Sequence, residues 1–229
     1  LYFMKRTLLL TAFTIFSASL FAQREFYGRP IRLGFKVDPV FVNNLSPKEN
    51  GIEKDGNNIG INYGLMVDVL FSDDRGAFAT GLEVVHAAST LRYDKLALYD
   101  KGDYKLKLQY LQIPLSVKLN TNRMENGMRF WGQFGTYMGA LLAARADYTA
   151  AAGSTASSKT NEKIMNQTNK LNMGLLLGTG IQYPIADRTD LYLGLGFENG
   201  FTDITTNGKW NDDGKVNLNR WALRLGVFF

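Results

Sequence analysis

The sequence contains no cysteine, one histidine and only 5 prolines among its 229 residues. An exported protein of this composition gains no stability from disulfides. The single histidine, His86, excludes a metal site built from several imidazole ligands, and we expect no metal and no bound cofactor. The excess of positive over negative charge is also small, because 26 basic residues against 21 acidic ones leave a net charge of +5. The basic residues are scattered singly, so nucleic acid is not an expected partner.

Long apolar runs are missing after residue 22, so no membrane-spanning helix is expected there. The N-terminus differs, since Lys5 and Arg6 precede a short apolar stretch that ends in small residues, "TLLLTAFTIFSASLFA" (7–22). This arrangement is typical of a secretory signal peptide, here cleaved after Ala22; an uncleaved membrane anchor is the alternative. Residues 1–3, before Met4, are expected to be a cloning remnant or upstream translation. The mature domain is then 23–229.

Glycine and aromatic residues are abundant, with 23 Gly, 15 Phe, 11 Tyr and 3 Trp, a composition that favours sheets with tight bends. Apolar residues recur at every second position, which is the period of a strand and not of a helix. The segments that show this pattern clearly are 30–43, 60–72, 107–119, 171–185, 190–201 and 217–229. Two further segments, 77–92 and 128–146, are less regular. The sequence therefore predicts eight strands.

The connections between these segments alternate strictly between long and short. The long polar connections are 44–58, 93–104, 147–168 and 203–216, and the short ones are "SDDRG", "NTNRMENG" and "PIADRTD". Membrane barrels show this alternation, with tight turns on the periplasmic side and long loops outside. The predicted fold is all-β: an eight-stranded antiparallel up-and-down transmembrane β-barrel with a side-chain-filled lumen and both termini in the periplasm.

The two faces of the strands differ in polarity, and the question is which one lines the interior. In a soluble, lipocalin-like barrel the apolar face would line a ligand cavity. Here the other face combines glycine with single charges, and a basic residue facing lipid at mid-bilayer costs roughly 2–4 kcal/mol. We therefore expect the apolar face outside and an ion-paired lumen, with a proton or ion path as the alternative. The expected lumen charges are Lys36, Asp38, Asp68, Glu83, Lys118, Glu198, Arg220 and Arg224.

The last segment, "RWALRLGVFF" (220–229), predicts a closing strand that pairs with the first strand and removes both sheet edges. Its outward residues would form a C-terminal signal for the outer-membrane assembly machinery: Trp221, Leu223, Leu225, Val227 and Phe229.

With "FAQ", "RLGFKVDPVF", "YLQIPLSVKL", "GLLLGTGIQYPI" and "LRLGVFF" in view, the chain resembles the PorT-like small outer-membrane β-barrel proteins of Bacteroidetes. The resemblance covers nearly the whole mature chain and implies an outer-membrane location. It implies no particular activity, although some relatives are linked to protein secretion and gliding machinery.

Three functions are compatible with these observations. The first is a non-enzymatic structural or interaction protein in contact with outer-membrane lipid and an outer-membrane protein partner. The second is a small-solute pore, and the third is a lipid A-modifying enzyme whose candidate residues lie in "EVVHAAST": Glu83, His86, Ser89 and Thr90. Strict alternation places His86 on the lipid side if Glu83 faces the lumen, so we expect an interfacial histidine and no enzyme. The acidic stretches 99–104 and 210–216 lack the ligand spacing of a calcium loop and are expected to be hairpin tips.

Overall fold

The computed structural model describes residues 31–47, 52–54, 59–71, 74–93, 102–152, 157–206 and 216–229. The chain divides into two compact units, Leu1–Ile31 and Arg32–Phe229, and everything described below except the first residue of the first strand belongs to the second unit. The signal peptide expected at 1–22 lies outside the described residues. No helix in the described ranges is long and apolar enough to cross a membrane.

The described part of the chain is built from strands. They are β1 (Ile31–Pro47), β2 (Ile52–Lys54), β3 (Gly60–Phe71), β4 (Gly76–Tyr93), β5 (Gly102–Asn120), β6 (Arg129–Ala150), β7 (Lys159–Lys163), β8 (Leu171–Ala186), β9 (Thr189–Gly200) and β10 (Val216–Phe228). Each of the eight predicted segments corresponds to one long strand, which confirms the expected strand count for the barrel. The short strands β2 and β7 lie where the sequence predicted only long connections.

The eight long strands close into a barrel. Their order is β4-β3-β1-β10-β9-β8-β6-β5, and β4 also pairs with β5. The pairing of β1 with β10 is antiparallel, with Phe35 opposite Val227 and Val37 opposite Leu225, and the Phe229 amide donates a hydrogen bond to the Leu33 carbonyl at 2.9 Å. Because this pairing joins the first strand to the last, the barrel strands have no open edge.

The two ends of the barrel differ as the sequence predicts. The connections β3–β4, β5–β6 and β8–β9 are short and lie at one end, called here the turn end. The remaining connections are longer and lie at the loop end, where β2 pairs with β4 and β7 pairs with β6.

The expected inside and outside are confirmed on β5. Its outward residues from Leu111 to Leu119 are apolar and are exposed or half-buried, whereas Gln112 and Lys118 between them are buried. These nine positions extend about 26 Å along the strand and therefore about 20 Å along the axis of a barrel with the usual tilt of about 40°. This height is close to the apolar band of about 25 Å in membrane-spanning barrels.

Nearer the loop end, the polarity of β5 is reversed. Tyr104 and Leu108 are buried inside the barrel, and Lys105 and Lys107 between them are exposed. The sequence predicted loops at 93–104 and 147–168, and this prediction was wrong in part, because β5, β6 and β7 extend into these ranges. The extensions enclose a second, apolar core that was not predicted from the sequence.

Candidate functional site in the barrel interior

The interior within the apolar band carries the charges named from the sequence. All eight side chains are buried, with at most 7% of any residue exposed: Lys36, Asp38, Asp68, Glu83, Lys118, Glu198, Arg220 and Arg224. Four are cations and four are carboxylates, so their formal charges cancel. Such a balance is what burial demands, since an unpaired charge in a low-dielectric interior is costly.

Arg220 and Glu198 form one of the pairs. They are cross-strand partners on β10 and β9 and make a direct ion pair. Gln112 of β5 bridges them, because its Oε1 accepts a hydrogen bond from Arg220 at 2.9 Å and its Nε2 donates one to Glu198 at 3.2 Å. Lys118 and Asp68 form a second direct pair on β5 and β3. Gln112 therefore links β5 to β9 and β10 through the interior of the barrel.

Lys36 lies between two carboxylates. Its Nζ is 2.8 Å from Asp38 Oδ2 and 2.7 Å from Glu83 Oε1. Arg224 instead donates a hydrogen bond to Gln133 Oε1 at 2.6 Å, and the Gln133 amide donates to Ser116 Oγ at 2.6 Å. The space left among these side chains is a cavity of about 20 Å³, enough for about one water molecule.

Aromatic side chains fill the bore on the turn-end side of these charges. Trp131 stacks on Tyr192 with 4.4 Å between ring centroids, and Phe228 meets Tyr192 edge-on at 5.5 Å. The Trp131 indole N–H donates to the carbonyls of Ile181 and Leu193, each at 3.2 Å. The indole is thus held in one orientation across the bore.

Paired glycines make room for these large side chains. Gly180 and Gly194 are cross-strand partners on β8 and β9, and the Trp131 ring lies against both of them. A Cβ on Gly180 would overlap the Leu193 carbonyl oxygen, and one on Gly194 would overlap the indole. The neighbouring pair, Gly178 and Gly196, lies in the same way against Arg224. The glycine-rich inner face is therefore a surface on which Trp131 and Arg224 lie.

A cluster of arginines lies at the turn end of the bore. Asp190 Oδ2 is 2.5 Å from Arg32, 3.1 Å from Arg123 and 3.8 Å from Arg129, and Arg129 also donates to Gln182 Oε1 at 2.7 Å. This convergence on Asp190 was not predicted from the sequence. Arg123 and Arg129 lie beside one short turn and Asp190 follows another. Their position beside turns at the same end of the barrel was the sequence signal that could have predicted the cluster.

An apolar core fills the bore at the loop end. Its buried side chains come from strands β4, β5, β6 and β10 and from the segments next to β7 and after β9: Val85, Ala87, Leu91, Tyr104, Leu106, Leu108, Tyr110, Ala144, Ala146, Tyr148, Ile164, Ile204, Val216 and Leu218. The phase of the apolar residues changes between Tyr110 and Leu111 in "KLKLQYLQIPL" (105–115), and that shift was the signal for this core. On β6 an extra residue between Ala143 and Leu141 shifts the register against β5 at the same level.

The four candidate catalytic residues do not come together. Glu83 and Ser89 are buried inside the barrel, whereas the His86 and Thr90 side chains alternate to the outside. His86 lies opposite Gln109, at the edge of the apolar band, and its Nδ1 is 2.9 Å from the Ile61 carbonyl oxygen. No cluster of three or more potential metal ligands occurs among the described residues. The acidic stretch 99–104 is described only from Gly102, and the expectation of a hairpin tip is wrong there because Gly102–Tyr104 belong to β5. The stretch 210–216 is described only at Val216, where β10 begins.

The residues named as a C-terminal signal face outward. Trp221, Leu223, Leu225 and Phe229 are exposed, and Val227 is half-buried. The face they form lies next to β1 on one side and β9 on the other.

Two solved structures are similar to the chain at very low sequence identity. OprG from Pseudomonas aeruginosa is 17% identical, with 86% of this chain and 92% of that chain covered and a TM-score of 0.42. Neisserial surface protein A is 14% identical, with 87% and 96% covered and a TM-score of 0.41. No curated protein matches the sequence.

A family model supplies the assignment. The model described as "Outer membrane protein beta-barrel domain" matches residues 21–206, which is well over half of the chain. This match agrees with the closed eight-stranded barrel, its apolar outer band and its charged interior. The chain belongs to the outer membrane protein β-barrel domain family, and its place is the bacterial outer membrane.

Proposed function

We propose that the protein is a non-enzymatic outer-membrane barrel with a structural or protein-interaction role, with both termini in the periplasm and the loop end outside the cell. The observation that supports this proposal is the filled bore. Four cations and four carboxylates occupy its middle, aromatic rings lie on one side of them and an apolar core lies on the other. A barrel filled in this way offers solutes no open passage. Its loops and its outer face are the surfaces that it presents to partners.

Planar-bilayer conductance separates this role from that of a small-solute pore. The purified protein, inserted into a bilayer, is expected to give no conductance above the bilayer alone. Insertion is checked by recovery of the folded, heat-modifiable form from the same lipid. Stepwise channel openings from the folded protein would contradict the proposal and support the pore.

The alternative of a lipid A-modifying enzyme is tested at His86. We expect lipid A from cells that produce the His86→Ala variant to have the same mass spectrum as lipid A from wild-type cells, because His86 and Glu83 lie on opposite faces of β4. A modification that is present with the wild type and lost with His86→Ala would contradict the non-enzymatic assignment.

The finer assignment, an accessory subunit of an outer-membrane complex such as secretion machinery, rests on the resemblance to PorT-like proteins of Bacteroidetes. It predicts stoichiometric co-purification with one outer-membrane protein after gentle solubilisation. A protein that is recovered alone under these conditions would leave a purely structural role.

A further inference from the structure

A row of basic side chains crosses the outer surface of the loop end. Lys107 of β5 lies directly opposite Arg145 of β6, and Arg145 lies directly opposite Lys163 of β7. Lys105 occupies the next outward position along β5 towards the loop end. All four side chains are exposed, and they are called here the cationic row.

Little negative charge compensates this row. Asp147 pairs with Lys107 at 2.5 Å, and Arg145 donates to the neutral side chain of Asn161 at 3.0 Å. Within the described ranges, neither Lys105 nor Lys163 has a carboxylate within ion-pair distance. The row and Asp147 together carry a formal charge of +3. Like charges directly opposite each other destabilise a sheet, so this arrangement is more favourable when an external anion lies against it.

The height of the row above the apolar band indicates which anion that is. Leu111 is the last outward apolar residue of β5, and Lys107 follows about 13 Å further along the strand, which is about 10 Å along the barrel axis at the usual tilt. The polar headgroup region adds about 5–8 Å to each side of a bilayer core. Lys107 therefore starts just above the headgroup region, with Arg145 and Lys163 directly opposite at the same level. Long basic side chains reach several ångströms along the surface to place their charge, so these three can reach the lipid phosphates. Lys105 starts about 15 Å above Leu111 along the axis and adds its charge on the outer side of the row.

We propose that the cationic row binds the phosphate groups of glycolipid headgroups in the outer leaflet of the outer membrane. The inference rests on the proposed orientation, with the loop end outside the cell. Binding at this place would tether phosphorylated lipid to one side of the barrel, the side formed by β5, β6 and β7. A sulfated polysaccharide is the competing occupant and is an outcome of the test.

The test compares two double variants that remove the same charge. In Lys105→Gln/Lys163→Gln, two residues of the row lose their charge, and neither has an ion-pair partner within the described ranges, so folding should be preserved. The matched control is Arg75→Gln/Arg188→Gln, since both arginines are exposed in turns at the opposite end. The probe is diphosphoryl lipid A in detergent micelles, with dephosphorylated lipid A as the second ligand.

The wild type is expected to bind diphosphoryl lipid A more tightly than dephosphorylated lipid A, with an affinity that falls as salt is added. Loss of two charges near the headgroups should weaken binding of diphosphoryl lipid A about thirtyfold, while the turn-end control changes it less than about twofold. Equal affinity for both forms of lipid A, or equal effects of both double variants, would overturn the proposal. So would displacement of the lipid by a sulfated polysaccharide at lower concentration than by free diphosphoryl lipid A.

The orientation of the barrel in the membrane is measured separately, so that a wrong orientation can be distinguished from the absence of lipid binding. Because the chain has no cysteine, Lys105→Cys introduces the only thiol. A membrane-impermeant maleimide is expected to label this variant on intact cells. Absence of labelling on intact cells with full labelling after lysis would overturn the proposed orientation, whatever the micelle experiment shows.

Discussion

Arg220 and Glu198 lie directly opposite each other on β10 and β9 and form an ion pair inside the bore. Glu198→Ala would leave the buried guanidinium without its carboxylate. We expect this change to lower the free energy of unfolding by about 3–5 kcal/mol, measured by urea unfolding in detergent micelles and by loss of heat-modifiability on gels. The control is Leu195→Ala on the outward face of the same strand, where the side chain is exposed to lipid.

The double variant Glu198→Gln/Arg220→Met distinguishes an orphaned charge from lost packing. Since it removes both charges, it should be more stable than Glu198→Ala. If Glu198→Ala unfolds at the same urea concentration as the wild type, Arg220 and Glu198 do not act as a buried pair.

The contact between Gly194 and Trp131 predicts a difference in stability between two glycine-to-alanine variants. Gly194→Ala places a methyl group against the indole, so we expect a loss of about 1–3 kcal/mol by overpacking and a change in the tryptophan emission spectrum. Gly132→Ala is a matched control on β6, because a Cβ there meets no atom within 4 Å. Equal effects of the two changes would mean that strand propensity, and not the contact with Trp131, determines the loss.

The loop-end pair of Lys107 and Asp147 predicts a pH effect. This pair lies beyond Leu142, the last outward apolar residue of β6. The hydrogen bond from the Lys107 ammonium lowers the pKa of Asp147, and a second hydrogen bond from the Asn161 amide acts in the same direction. A lowered pKa in the folded state stabilises the loop end above the usual aspartate pKa of about 3.9, and this contribution is lost as the pH falls through the folded-state value.

Lys107→Gln is therefore expected to raise the pKa of Asp147 towards its usual value, as measured by NMR titration of the carboxyl carbon in micelles. The effect on global stability should be small, since Lys107 is exposed and Asp147 is partly exposed to water. Lys105→Gln is the control, because Lys105 is the cross-strand neighbour of Asp147 without being its ion-pair partner. A larger shift with Lys105→Gln would contradict the assigned cause.

Phe229 was predicted to be part of a signal for the outer-membrane assembly machinery, and this role leads to a test in cells. Phe229→Ala is expected to reduce the amount of folded protein recovered from outer membranes while leaving refolding into detergent micelles unchanged. Phe130→Ala removes another exposed aromatic residue and is expected to leave both unchanged. If the two variants assemble alike in cells, Phe229 does not act as part of a signal for the assembly machinery.

The embedded half of the barrel was predictable because lipid imposes a strict rule on every second residue. On β1, Lys36 and Asp38 alternate with Phe35 and Val37, and the structure buries the charges and turns the apolar side chains outward. Strand number and the alternation of connections followed from the same pattern. The charge partners did not follow, since Gln112 meets Glu198 across 86 positions of sequence and no local rule encodes such a contact.

The loop end was harder to predict because the rule changes there. Lys105 and Lys107 lie on the outward face of β5, a position that is unfavourable in contact with lipid. The apolar-outward pattern therefore does not continue from the predicted strand 107–119 towards Gly102, and 93–104 was predicted to be a loop. Water on the outside restores the pattern of a soluble strand, with Leu106 and Leu108 buried. The prediction was limited by the assumption that one solvent surrounds the whole length of each strand.

The backbone of β5 runs through this change of environment without interruption, from Gly102 to Asn120. Only the order of polar and apolar residues marks the point where the hydrocarbon ends. Residues added in pairs on the aqueous side preserve both the alternation and the embedded half, so the distance by which such a barrel projects from the cell surface is adjustable in steps of about 7 Å along the strand.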